Sequence, residues 1–357
     1  MRTGYTFKGW LPEVAATVPD EDVSYMAQWE ANTYTVSFNP NGGNLNGGAA
    51  SKGVAFDSAY GELLIPVLEF CSFDGWMLGG AAVVPSTKVA MTANHTLVAK
   101  WSRWGARVAS DAAYTGKTLR ELYPDDYANL TTVVLEEGVA ELPEGFFCGC
   151  DNVENLTLPE SLETLGYDEL PKKIRESLDY GSGGFMVYQG WVLGYRDDGA
   201  SALPLPQNAI GIGTRAFAEF WDLETVAIPD TVKHIGRRAF FECTFLDDVE
   251  IPDSVETIGA GAFENCSYMQ TLSVGNGVCK VADYAFSRCA SLQAVAFADG
   301  LESIGECAFS NDWRMLSVSL PHSVTNIADG VFAACRRVKG VAVPANVMTL
   351  ADMFPAA

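Results

Sequence analysis

Nine cysteines and three histidines are the residues of this 357-residue chain best suited to nucleophilic or metal chemistry. A reactive thiol needs a base or cation beside it, and a zinc site needs Cys and His ligands in short spaced pairs. Neither pattern is found. Cys148-Gly149-Cys150 is a C-x-C rather than a C-x-x-C. His95, His234 and His322 stand at no motif spacing from a Cys or Ser. His95, in Asn94-His95-Thr96, reads as an exposed loop residue, and the other two read as turn residues. Gly211-Ile-Gly-Thr-Arg-Ala216 matches a dinucleotide fingerprint loosely, Gly181-Ser-Gly-Gly184 lacks the lysine of a phosphate loop, and no D-x-D-x-D-G calcium loop occurs. The expectation is a chain with no catalytic residue, no metal ligand and no cofactor. Its net charge of −22 repels phosphate backbones, which excludes electrostatic nucleic-acid binding. No run of 18 apolar residues occurs, so no direct membrane insertion by a helix is expected from this sequence.

The elements that hold these residues are set by a repeat. Phe217, Phe240, Phe263, Phe286, Phe309 and Phe332 follow one another at steps of 23 residues. Around them recur Ile235-Gly236, Ala239-Phe240 and Cys243, then Ile258-Gly259, Ala262-Phe263 and Cys266. The unit reads L-x-x-V-x-I-P-x-x-V-x-x-I-G-x-x-A-F-x-x-C. Phe147 with Cys150 extends it backwards, Leu142 takes the Ile place, and Leu170 falls on the Phe column. Phe354 stands one residue short of its slot. Units this small cannot bury an apolar face alone, but stacked units can. The V-x-I part alternates and reads as the strand of each coil, the Pro ends it, and the Gly after Ile reads as the residue of a tight turn. Cys150, Cys243, Cys266, Cys289 and Cys335 share one column, which reads as a buried ladder of free thiols. An irregular double coil is expected at about 171–207, with a hairpin in Phe185–Tyr195 turning at Gln189-Gly190.

A second repeat occupies the first hundred residues. Gly4-Tyr-Thr-Phe-Lys-Gly-Trp10 parallels Cys71-Ser-Phe-Asp-Gly-Trp76, and Tyr25-Met-Ala-Gln-Trp29 parallels Leu97-Val-Ala-Lys-Trp101. The recurrence of Trp10, Trp29, Trp76 and Trp101 points to core packing rather than to a sugar platform. Trp221 and Trp313, four residues after their Phe, read as shields of the coil edges. Between the repeats, Thr118-Leu-Arg-Glu121 has capping-box spacing, and Lys117–Tyr123 reads as a short helix that covers the first coil.

On these residues the chain resembles two families. From about Leu130 to Phe354 it is similar to BspA-type leucine-rich repeats, and from Tyr34 to Trp101 to the Listeria–Bacteroides repeat, or internalin B-repeat, a small β-grasp-like module. The fold expected is mainly β, with β-grasp-like modules followed by a leucine-rich-repeat solenoid of 23-residue coils. The domains expected are 1–30 (the C-terminal half of a truncated module), 31–101 (a complete module), 102–129 (linker and solenoid cap) and 130–357 (solenoid). A half module should not fold without its first strand, so the native chain is expected to continue upstream of Met1. The resemblance implies a secreted or cell-surface adhesion or protein-binding role without catalysis. The alternative is a scaffold or stalk presenting an enzymatic or binding domain lost upstream. The partner expected is a protein or glycan ligand on a host or neighbouring cell.

Residues flanking the central Val of each strand should point outward and form a face for that partner. Thr225, Asp248, Glu250, Thr271, Ser273, Ser317 and Ser319 are its candidate binding residues. The face carries small side chains and one acidic pair, Asp248 and Glu250.

Overall fold

The computed structural model describes residues 1–354 other than 15, 18–20, 111–115, 182, 197–198, 340 and 351. The chain forms two compact units, Met1–Ala106 and Arg107–Ala357.

In the first unit, β1 (Tyr5–Leu11) and β2 (Met26–Ala31) form an antiparallel pair. β3 (Thr33–Asn39), β4 (Ser51–Ala55), β5 (Cys71–Leu78), β6 (Ala81–Val83) and β7 (His95–Arg103) form a sheet in the order β4-β3-β7-β5-β6, with β3 and β7 parallel. Alternation along β3 buries Val36 and Phe38 against Trp76, Leu97 and Ala99. The internal repeat is visible in the register. The β5–β7 pair slips between Phe73 and Gly75, and the β1–β2 pair slips between Phe7 and Gly9. Both glycines adopt positive φ, 133° and 123°, which a Cβ would oppose. Phe73 packs edge-on to Trp76 and Trp101, and Phe7 packs likewise to Trp10 and Trp29. The burial differs. Trp76 is 1% exposed, with Phe38 of β3 packed on it at 5.0 Å, whereas Trp10 is 46% exposed. Among the described residues no strand equivalent to β3 pairs with β1 or β2, so the core reading of Trp10 is corrected: it lacks the partner that buries Trp76 in the five-stranded copy.

The second unit is a solenoid. Its entry holds a three-stranded sheet of β8 (Gly105–Val108), β9 (Thr132–Leu135) and β10 (Asn155–Thr157), in which β9 is central. Helix α1 (Leu119–Leu122) starts where its capping box predicts: the Thr118 amide donates to the Glu121 carboxylate at 2.8 Å. Leu119 is fully buried, and its amide donates to the Phe146 carbonyl at 3.1 Å. The linker's residues 111–115 lie outside the described residues. Within the irregular stretch, α2 (Lys172–Ser177) precedes the hairpin of β11 (Phe185–Tyr188) and β12 (Trp191–Tyr195). Gln189 and Gly190 both take positive φ at its turn.

The regular coils carry two strands each, not one. The V-x-I strand is present at Thr225–Ala227, Val249–Ile251, Thr271–Val274, Ala294–Phe297 and Val318–Ser319, but its ladder is broken into short sheets. The continuous sheet has nine strands. It begins with the hairpin and runs through two-residue rungs such as His234–Ile235, Thr257–Ile258 and Lys280–Val281, paired in parallel. Those rungs hold the Ile of the I-G pair, and the following glycine is not a turn residue. A Cβ on Gly236 or Gly259 would lie 2.7 or 2.6 Å from a backbone nitrogen of the preceding coil. The glycine is there for close approach between coils. The chain reverses instead at left-handed residues such as Arg215, Glu219, Arg238 and Glu242.

The Phe column forms a continuous stack. Ring centroids from Phe217 to Phe354 are 5.0–5.9 Å apart at interplanar angles of 7–28°. The separations match the spacing of neighbouring strands, roughly 4.8 Å, because each ring rides on its own coil. Phe354 fills the slot at the end of the column despite the missing residue. The fold is thus mainly β, a solenoid of coils about 23 residues long.

Candidate binding surface

On the V-x-I strands, pleating sends Val226, Val249, Leu272, Val295 and Val318 toward the core and their neighbours out. All seven candidate residues, Thr225, Asp248, Glu250, Thr271, Ser273, Ser317 and Ser319, are exposed on that side. Parallel pairing sets Glu250 beside Ser273 and Thr271 beside Ala294. The Thr271 hydroxyl donates to the Asp248 carboxylate at 2.5 Å, and the Gln270 amide donates to Asp247 at 3.0 Å. Gly340 of this face lies outside the described residues.

The turns that lead into four of these strands carry exposed aromatic residues whose alignment the sequence reading did not find. Trp221, Phe245, Tyr268 and Trp313 are all about half exposed, and the Phe245 and Tyr268 rings lie 4.9 Å apart. Trp221 and Trp313 were expected to shield coil edges; they stand open, because their coils complete the core with Phe217 and Leu223, and with Phe309 and Met315, beneath them. The signal was present in the spacing, since 221 and 313 are the same repeat position and 245 and 268 occupy the next one.

The cysteine column is held inside. Cys148, Cys150, Cys243, Cys266, Cys279, Cys289, Cys307 and Cys335 are free thiols. Cys243, Cys266, Cys289 and Cys335 are buried, and each thiol donates to the carbonyl of the Phe 26 residues earlier at 3.0–3.3 Å. Burial pushes Cys243 and Cys335 up to about 12, which removes the thiolate that nucleophilic or metal chemistry needs. The same column contains Asp312, 23 residues from both Cys289 and Cys335. It is fully buried, and neither carboxylate oxygen has a hydrogen-bond partner. Burial raises its carboxyl well above the ordinary carboxylate range. Among the described residues no group of three or more His, Cys, Asp or Glu is placed to hold a metal ion.

Two histidine readings are corrected. His234 lies in a strand rather than a turn, buried and stacked on Trp191 at an interplanar angle of 8°, and burial lowers its pKa. His95 is half-buried rather than exposed; its Nε2 lies 2.7 Å from the Tyr60 hydroxyl. His322 is exposed.

A cleft of about 1070 Å³ opens beside the continuous sheet, lined by residues from 141–151, 168–175, 235–237, 257–260 and 280–283. Its lining mixes Glu169, Arg175, Arg237, Lys280 and Asp283. Burial raises the Glu169 carboxyl, which accepts from the Gly166 amide at 2.5 Å, and Arg175 contacts Asp168 at 3.4 Å. Asp283 of the same lining accepts from the Glu306 amide at 2.8 Å.

Comparison with known proteins follows this geometry. Residues 34–100 match the Listeria-Bacteroides repeat domain. A putative Gly-rich membrane protein of Evansella cellulosilytica is 30% identical over 151 residues, which is 35% of this chain but only 17% of that protein. A leucine-rich repeat protein from Eubacterium ventriosum superposes with a TM-score of 0.47 at 14% identity, covering 72% of this chain and 91% of the other. A leucine rich cell surface protein from Faecalibacterium prausnitzii gives 0.25 at 18% identity, covering 71% and 84%. Residues 125–177, 197–312 and 233–354 match the BspA type leucine rich repeat region in six copies, and with more than half its length so matched the chain belongs to that family.

Proposed function

We propose that this chain is a surface-located, non-catalytic binding protein that engages a protein or glycan ligand on a host or neighbouring cell through the V-x-I face of its solenoid. One observation carries the reading. The outward residues of successive strands form an exposed row of small side chains interrupted by the acidic pair Asp248 and Glu250. Such a row leaves a sheet surface open for a flat partner. Surface location is supported by the family and by the names of two of the relatives, a membrane protein and a cell surface protein.

The test is adhesion of beads coated with the chain to cultured host cells. The double variant Asp248→Arg/Glu250→Arg should keep its melting curve, since both residues are exposed, and lose adhesion. Equal adhesion by both proteins would remove this face from the reading. Adhesion by neither would favour a spacer that presents another domain.

A further inference from the structure

We propose that two copies of this chain associate antiparallel through the turn edge of the solenoid, with the exposed aromatic row covered at the interface. The edge beside the V-x-I face is apolar along much of its length. Trp221, Phe245, Tyr268, Trp313 and Leu316 are 45–58% exposed. Soluble surfaces seldom leave this many large apolar side chains uncovered along one edge, and aromatic residues are enriched where proteins meet.

The charges on the same edge say what covers it. At the first regular coils the edge carries Asp222, Glu224 and Asp247. At the last ones it carries Arg314, Arg336, Arg337 and Lys339, all exposed. Ser291 and Gln293 separate the two ends. Among the described residues none of these seven charges is engaged in an ion pair. The edge is therefore acidic at one end and basic at the other, inside a chain of net charge −22. A partner of uniform charge would match one half and repel the other. A second copy, reversed, matches both.

The repeat fixes the register. Residue 222 and residue 337 occupy the same repeat position, five coils apart. If the coil of Asp222 faces the coil of Arg337 in the other copy, Phe245 faces Arg314 and Tyr268 faces Ser291. Trp221 then meets Arg336, and Glu224 meets Lys339. Arg314 and Arg336 each reach an aromatic side chain, while Asp222 and Glu224 meet Arg337 and Lys339, which combines ring–cation contact with charge pairing. Every contact occurs twice, as a twofold interface requires. A parallel arrangement would set like charges against each other. The proposal does not depend on the ligand of the V-x-I face, because Asp248 and Glu250 are not used in it.

The experiment is sedimentation velocity on the full chain and two variants, Asp222→Lys/Glu224→Lys and Arg337→Glu/Lys339→Glu. All four side chains are exposed, and unchanged circular dichroism will show that the variants fold. The wild type should dimerise, and more weakly as salt is raised. Each variant alone should dissociate, with its dimer Kd raised about tenfold or more. An equimolar mixture of the two should dimerise again, because positions 222 and 337, and positions 224 and 339, then carry opposite signs across both halves of the interface. A wild type that stays monomeric at its highest soluble concentration overturns the proposal. So does a dimer that neither variant weakens, or a mixture that fails to reassociate. None of these outcomes touches the adhesion test.

Discussion

Replacing Asp312 with cysteine should stabilise the solenoid at neutral pH, because the substitution restores a column that the aspartate interrupts. Cys289 and Cys335, on either side in the ladder, each donate a thiol hydrogen to a Phe carbonyl, a bond worth roughly 0.5–1.5 kcal/mol. Asp312 has no such partner, and a buried polar group left unpaired costs about 1–3 kcal/mol. Proton linkage adds to this. Burial raises the folded-state pKa above the ordinary 3.8. Below that pH the folded and unfolded chains both hold the proton, and the group adds no pH dependence. As pH rises, the unfolded chain releases its proton while the folded chain keeps it. Stability then falls by up to about 1.4 kcal/mol per unit until the folded-state pKa is passed. Asp312→Cys should therefore gain about 2–4 kcal/mol near pH 7.5, and the gain should shrink near pH 4.5. Amide hydrogen exchange over Leu301–Ile327, read in urea, reports on these coils without assuming that the whole solenoid unfolds at once. Asp312→Asn is the control: it removes the titration but not the unpaired group, so the part of the pH dependence that comes from Asp312 should disappear. A gain that is equal at both pH values would refute a neutral buried carboxyl, as would a less stable cysteine variant.

Two further outcomes follow from the columns. Phe263→Ala should cost about 3–5 kcal/mol, since the ring is fully buried between Phe240 and Phe286; a loss below about 1 kcal/mol in chemical denaturation would contradict the stack. A thiol-specific reagent should modify Cys148 and Cys279 promptly in the native chain and reach Cys150, Cys243, Cys266, Cys289 and Cys335 only after unfolding. Fast native labelling at any of those five would break the ladder.

Much of this architecture is legible without coordinates because strict spacing turns sequence columns into spatial ones. Phe217 to Phe332 stack, and the cysteine column is a thiol ladder, for the same reason: each coil repeats the geometry of the last. What the sequence conceals is shorter-ranged or off-pattern. Two-residue rungs such as His234–Ile235 show no alternation, so the continuous sheet leaves little trace. The I-G glycine suggests a bend, yet its missing Cβ is needed by the neighbouring coil, a contact 23 residues away. Asp312 escapes notice because a column is read by its members and not by its exception. Exposure of Trp221 depends on whether the core beneath is already full. Where the face residues point follows from alternation, but alternation says nothing of what they bind.

The stacked column also has a mechanical meaning. Within the column each ring stacks on the rings of the neighbouring coils, so a pull applied along the stack loads one inter-coil contact at a time rather than the whole core. A coil adds roughly 4.8 Å to the folded stack but holds 23 residues, which extend to about 80 Å when drawn straight. Under tension the solenoid should lengthen in steps of about 75 Å, each coil yielding before the next is strained. A tether of this kind limits the force reaching whatever is held at either end, and its compliance is set by the number of coils.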